Sequence, residues 1–387
     1  MKPFRKLRIP ALFLIGTLVL NPFAVSGQDK KPADTKADSK PEFQMTMLKQ
    51  IPATSVKSQA STSTCWCFST TSMIESEIMR LGKPEVGLSE MYTVNNMYRD
   101  KAEQYVKFHG TCNFAEGGEG HDVTNSLKKY GIVPRDIYPG LNYGETVHKH
   151  GELVNALTGI VQTIVKNPNG KISPVWLKGV QGVLDAYLGE RPLSFSYNGK
   201  MVTPKEFVTE IGINPDDYVE VTSYTHHPFY EKFVLEIPDN WVQSQVYNVP
   251  IDELMQIVDY SLNKGISISW GADISDLNFA QGYARILANG GDLKDPSTKE
   301  KEVSQADRQY MFDSWQLTDD HGMHIIGLAQ DQFGNKYYYE KNSWGEGGKF
   351  KGYSYVSVPF MRLRTMSIML HKDGIPPEIA KKIGLKQ

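Results

Sequence analysis

Gln59-Ala60-Ser61-Thr62-Ser63-Thr64-Cys65-Trp66-Cys67-Phe68-Ser69 is the stretch on which the reading of this chain turns. Six small or polar residues run into an apolar, helix-forming segment, and a cysteine stands where loop gives way to helix. At that point the helix dipole and the unpaired N–H groups of the first turn favour a thiolate. The helix reads as 65–81, stopped by Gly82 with Pro84 just beyond. A cysteine nucleophile needs a base to take its proton, and the base needs a third group to hold its ring. Two later segments supply them. Asp319-Asp320-His321-Gly322-Met323-His324 places an imidazole at the start of an apolar strand, and Glu340-Lys341-Asn342-Ser343-Trp344-Gly345 offers a carboxamide followed by an aromatic shield. Cys65, His321 and Asn342 are therefore the candidate catalytic residues.

Composition narrows the field around that core. Of 387 residues 40% are hydrophobic and 22% charged, an ordinary globular balance. With 42 Lys+Arg against 44 Asp+Glu, the chain has no overall charge to draw it to nucleic acid or an anionic membrane. Three cysteines rule out a disulfide scaffold and leave at least one thiol unpaired within the chain. Lys2, Arg5, Lys6 and Arg8 precede an apolar run over 9–20, and Ala24, Ser26 and Gly27 follow. This reads as a signal peptide over 1–27, too short and too interrupted at Asn21-Pro22 for a stable membrane span. The charged, Pro-bearing segment 28–42 reads as a disordered tether. The expected product is an exported protein, periplasmic or secreted.

The rest, 43–387, reads as one domain of α+β class. Helices are expected over 89–105, capped by Ser89, over 122–130, closed by Gly131, and over 152–165, 174–188 and 252–263. Asn198-Gly199 marks a tight turn, and 233–237 and 266–270 read as strands. The end of the chain is strand-rich in HIIGLA, KYYYEK and YSYVSV. Helices first and strands last suggest a cleft between a helical half and a sheet half.

At these residues the chain resembles the papain-like cysteine peptidases. The resemblance puts Cys65 on the nucleophile, His321 on the base, Asn342 on the orienting asparagine and Trp344 on the tryptophan that covers the asparagine–histidine bond. It also puts Gln59 on the oxyanion-hole glutamine. A narrower resemblance, to the bleomycin hydrolase and aminopeptidase C branch, rests on LSEMYTVNNMYRDKAEQY, GGEGHDVTNSLKKYGIVPR, NVPIDELMQIVDYSLNKGISISWGADI and IPPEIAKKIG. Cys65 and His321 stand 256 residues apart, against roughly 130–150 in papain-like enzymes. The excess is a largely helical insertion over about 135–247. The resemblance implies an aminopeptidase acting on short peptides, substrate contact at Gly117 and Gly118, and a homo-oligomer, a hexamer in that branch. It implies no cofactor and no metal. Members of the branch are usually intracellular and carry a C-terminal arm in their own cleft; here an export signal is expected and the arm reads as short or missing. An endopeptidase, a non-peptide amidase or acyl transferase, and a catalytically silent binding protein are the alternatives.

The remaining motifs have plainer readings. Cys67 lies about 200° round the helix from Cys65 and should face the core; a Cys67–Cys112 bond is the minor alternative. His324 is the rival base, disfavoured because the spacing from His321 to Gly327 fits the family. C-x-C with H-x-x-H matches no ordinary zinc site. Asp319 and Asp320 read as solvated, and His226-His227 as a loop.

Overall fold

The helix that opens at Cys65 is buried on every side. All residues over 65–78 lie inside although half of them are polar. In the computed structural model residues 42–274, 279–280 and 282–386 are described. The signal peptide and almost all of the tether lie outside the described residues. In chain order the elements are β1 (Thr46–Gln50), α1 (Cys65–Arg80), α2 (Glu90–Lys107), α3 (Gly120–Tyr130), α4 (Gly151–Lys166), α5 (Trp176–Leu188), β2 (Phe195–Tyr197), β3 (Lys200–Val202), α6 (Pro204–Glu210), β4 (Tyr218–Thr222), β5 (Lys232–Val234) and β6 (Gln245–Asn248). They continue as α7 (Ile251–Lys264), β7 (Ile268–Ala272), β8 (Phe279–Ala280), β9 (Tyr283–Ala284), α8 (Gln305–Asp313), β10 (His321–Gln330), β11 (Lys336–Lys341), β12 (Tyr353–Ser357), α9 (Val358–Arg364), β13 (Thr365–His371) and α10 (Pro377–Lys382).

One twisted sheet runs β5-β6-β4-β13-β7-β10-β11-β12-β9-β8, with β1 also paired to the long β10. The pairings are antiparallel except β4 with β6 and β12 with β9. Alternation along β7 divides the interior. Ser269 meets α1, whereas Ile268 and Trp270 join α7, β10 and α9 in a second apolar core. The first core gathers α1 to α6, with Trp66, Met97, Leu157 and Leu184 at its heart. This is the α+β arrangement expected from the sequence.

The expected helices form, and expected caps set the start of α2 at Ser89 and the end of α3 at Gly131. Ser89 Oγ accepts the Tyr92 N–H at 3.0 Å to open α2. Asn198 and Gly199 both take positive φ, 49° and 76°, as a two-residue hairpin between β2 and β3 needs. Two strands are displaced from their expected ranges. The Ile266 N–H is taken by the Ser261 carbonyl in the C-terminal cap of α7, so pairing in β7 starts two residues later. An Ile237 N–H bond to the Leu235 carbonyl turns the chain out of the sheet, which ends β5 at Val234. Within the insertion α4, α5 and α6 supply most of the ordered length, and its last part returns as β4, β5 and β6 to widen the main sheet.

The polar residues of α1 are satisfied across both halves. Thr70 Oγ1 bonds Ser269 Oγ at 2.9 Å, and Ser72 Oγ bonds His324 Nδ1 at 2.8 Å. Cys67 faces the helical core, as expected, with its thiol on the Glu90 carbonyl at 3.3 Å. Farther along, Glu75 is fully buried and takes Thr54 Oγ1, the Leu88 N–H and Lys57 Nζ. Lys57 also reaches Glu90 at 2.8 Å, where Arg135 joins. Burial works against the Lys57 charge, yet Glu90 and Glu75 outweigh it and hold its ammonium above the usual lysine range. Removing one partner leaves a charge stranded in the core. Lys57→Met should therefore cost about 3–5 kcal/mol in urea unfolding; a loss under 1 kcal/mol would show that the pair is solvated.

Candidate active site

Cys65 is the first residue of α1, and Thr64 before it offers no side-chain cap to the first turn. The Gly322 and Trp66 N–H groups both approach the Cys65 sulfur. Gly322 follows His321 directly, so the thiol is fastened to the start of β10, where His321 shares its cleft. His321 Nε2 lies 2.8 Å from Asn342 Oδ1. The orientation of that amide is fixed, because the same oxygen accepts the Ser343 N–H at 2.7 Å. His321 therefore carries its proton on Nε2, and Nδ1 is the bare acceptor. The Trp344 ring stacks on the imidazole at 4.7 Å between centroids, while its outer face stays exposed.

Gln59 enters the same corner through backbone and side chain. Its N–H bonds the Ser343 carbonyl at 2.8 Å, its Oε1 accepts Ser343 Oγ at 2.6 Å, and its Nε2 donates to the Thr62 carbonyl at 2.6 Å. One of the two amide hydrogens is thus committed and the other is left for an incoming oxygen. His324, the rival base, is shut away against Ser72 with no exposed surface. Cys67 and Cys112 are both unbonded thiols.

Gly117 and Gly118 do line the cleft. Their lack of a side chain has a nearer reason than substrate. A Cβ on Gly117 would run into the Asp239 carboxylate, and one on Gly118 would stand 2.6 Å from Asp122 Oδ2 and 3.0 Å from the Trp66 ring.

Burial pushes the Cys65 thiol up to about 12, helped by the charges of Asp239 and Glu119 and opposed by the two N–H groups. Burial likewise pulls the His321 imidazole down to about 4, against the pull of Asn342. Each charge alone is therefore costly, and at Cys65 burial outweighs the helix start that was expected to favour the thiolate. Moving one proton from Sγ to Nδ1 makes two opposite charges in one cleft, with no net charge added, so their attraction offsets part of the penalty each would bear alone.

The cleft, about 630 Å³, holds an acidic surface that the sequence did not announce. Asp319 was expected in solvent, but it is half-buried, and its Oδ2 accepts the Asp239 N–H at 3.1 Å. Burial, then the charge of Asp239, raises its carboxyl to about 7. Asp320 does remain exposed, with Oδ1 on the Ile274 N–H. Glu119 at the head of α3 and Asp239 in the loop after β5 are also held above the usual carboxylate range, each chiefly by burial. No local signal marks these acids, since each comes from a separate stretch of chain.

One group among the described residues brings three metal-type ligands together: His226, His227 and Glu236. Both imidazoles point Nε2 at the one carboxylate, at 3.1 and 2.6 Å. Gln309, its Oε1 held by the Thr225 N–H, donates Nε2 to His226 Nδ1. That leaves the His226 proton on Nε2, facing Glu236, where a metal would need a bare nitrogen. The group is a hydrogen-bonded knot as it stands.

The Asp319 shift gives a pH test. A carboxyl whose folded value, about 7, lies above its unfolded value near 3.9 favours folding below the lower value and loses that contribution as pH rises toward the upper one. Asp319→Asn should thus match wild-type stability near pH 4 and exceed it by about 2 kcal/mol at pH 8, after allowing for solvent screening. Urea midpoints at both pH values check this, and an equal offset at both would refute it.

Comparison with known proteins agrees with this geometry. Residues 41–168 match the papain family cysteine protease model and residues 194–386 the Peptidase C1-like family model. Aminopeptidase C of Lactococcus lactis subsp. cremoris is 24% identical, over 87% of this chain and 84% of that protein. Aminopeptidase G of Lactobacillus delbrueckii subsp. lactis is also 24% identical, over 84% and 82%. The crystal structure of PepW from Lactobacillus rhamnosis superposes with a TM-score of 0.68 at 20% identity, over 88% of this chain and 84% of that one. Fold, motif and kinship converge, and the chain belongs to the papain-like cysteine peptidases, in the bleomycin hydrolase and aminopeptidase C branch.

Proposed function

We propose that the chain removes amino-terminal residues from short peptides through Cys65, His321 and Asn342, after export from the cytoplasm. The observation that carries the reading is the fixed tautomer of His321: Nε2–H on Asn342 Oδ1, Nδ1 bare, in one cleft with Cys65. Cys65 Sγ gives its proton to His321 Nδ1 and attacks the peptide carbonyl. The oxyanion that forms is met by the Cys65 N–H and the spare Gln59 amide hydrogen, each donor worth roughly 2.7–4 kcal/mol. Collapse breaks the C–N bond, and His321 returns its proton to the leaving amine. Water, deprotonated by His321, then hydrolyses the thioester and restores the thiol. Trp344 covers one face of the imidazole, which keeps water from competing for its bond to Asn342.

Cys65→Ala should abolish turnover of an aminoacyl fluorogenic amide, while Gln59→Ala should retain a residue about 10²–10³-fold lower. His321→Ala should be silent. If His321→Ala keeps activity and His324→Ala loses it, the base is the other histidine. Export rests on the basic head and apolar run before Gly27. A mature protein beginning at Gly27 or Gln28 is expected, and an intact Met1 in the cytoplasm would refute it.

A further inference from the structure

The cleft beside Cys65 is lined by six carboxylates, Glu116, Glu119, Glu220, Asp239, Asp319 and Asp320, and among the described residues by no lysine or arginine. Glu220 is ion-paired with His121 at 2.7 Å and accepts Ser367 Oγ, while the others meet uncharged donors: Glu116 the Ser63 N–H, Asp320 the Ile274 N–H, Asp319 the Asp239 N–H, Asp239 the Asn113 amide at 2.8 Å and Glu119 the Asp122 N–H. Glu119, Asp239 and Asp319 have no cation within ion-pair distance among the described residues. Lys101 stands behind the loop, its Nζ committed to the Ala115 and Gly117 carbonyls.

Glu119 is the informative member. It is less than a tenth exposed, its side chain accepts the Asp122 N–H in the capping box that opens α3, and its Oε2 turns toward Gly271 in the cleft wall. A nearly buried carboxylate without a cation, among other carboxylates, is costly unless something positive visits. Burial and the charges of Glu220, Asp319, Asp239 and Asp122 hold its carboxyl well above the usual range. The charges of Asp239 and Glu119 also reach Cys65, where they oppose the thiolate. The group is thus both short of a cation and close to the nucleophile.

We propose that Glu119, Asp239 and Asp319 seat the free α-ammonium group of the substrate. The proposal deepens the aminopeptidase reading and rests on it. In an aminoacyl substrate the α-nitrogen is two bonds from the carbonyl under attack, so its counter-charge must lie in the cleft that holds the nucleophile, which these three line. Side-chain ammonium groups would reach it only from several bonds farther out. The seated cation also cancels the field that opposes the Cys65 thiolate, so substrates with a free amino group react faster as well as bind better.

The test compares the full chain with Glu119→Gln and Asp319→Asn on three fluorogenic amides: leucyl, N-acetyl-leucyl and N-acetyl-lysyl. For the leucyl amide kcat/KM should fall about tenfold or more in either variant. For N-acetyl-leucyl it should hold or rise, and iodoacetamide should alkylate Cys65 faster in Glu119→Gln at the same pH. These opposite signs are not what a merely damaged fold would give. Equal losses on both leucyl substrates, or an unchanged alkylation rate, would overturn the proposal. So would an N-acetyl-lysyl amide cut as well as the leucyl amide and lost in the variants, since the acids would then read a side chain. Wild type that cuts none of the three would instead refute the peptidase reading.

Discussion

Everything in this molecule depends on the position of α1 along β10. A helix buried on all sides is held in register by what its polar side chains meet. Here Thr70 meets Ser269, Ser72 meets His324 and Glu75 meets Lys57. A slip of one turn, about 5.4 Å, would unpair all three. Each buried polar group left without a partner costs roughly 1–3 kcal/mol, so the wrong register is excluded by several such terms at once. The same register sets the Cys65 sulfur against the Gly322 N–H. Rigidity of the nucleophile is thus a consequence of polar packing well down the helix from it.

The two ends of α1 treat charge in opposite ways. At the far end Glu75 and Glu90 are buried with Lys57 and Arg135 beside them, and the network closes on itself. At the near end Glu119, Asp239 and Asp319 face a cavity with, among the described residues, no basic residue but His321 on its wall. Both arrangements remove carboxylates from water, and only one supplies the compensation. The cleft, with its nucleophile, is where the chain leaves compensation to come from outside.

Much of this was legible in the sequence because the chemistry demands residue types that few other roles demand. A cysteine at a helix start, a histidine opening a strand and an asparagine before tryptophan are jointly rare, so Cys65, His321, Asn342 and Trp344 could be named before any coordinate was known. Helix ends were legible through local chemistry: Ser89 caps α2, and Gly131 closes α3. Strands β4 and β6 were not, being short and defined by partners far along the chain rather than by their own pattern. The acidic cleft was hidden for the same reason. Glu119, Asp239 and Asp319 come from the head of a helix, a loop after β5 and the approach to β10, and each alone looks like an ordinary solvated acid. Only folding makes them neighbours.

That hidden cluster bears on the order of events at the nucleophile. With the site empty, burial and the nearby acids disfavour the Cys65 thiolate, and burial disfavours the His321 imidazolium. Proton transfer from Sγ to Nδ1 becomes easier as any positive charge enters the cleft, since the thiolate gains attraction and the acids lose their repulsion of it. The imidazolium would be pushed the other way by the same charge, but Asn342 Oδ1 on its Nε2 and the carboxylates around the cleft absorb that cost. A peptide with its amino group blocked brings no such charge and must react against the full field. On the proposed reading, selectivity for the amino end is set in the reaction step as much as in binding, by the electrostatics of the empty site.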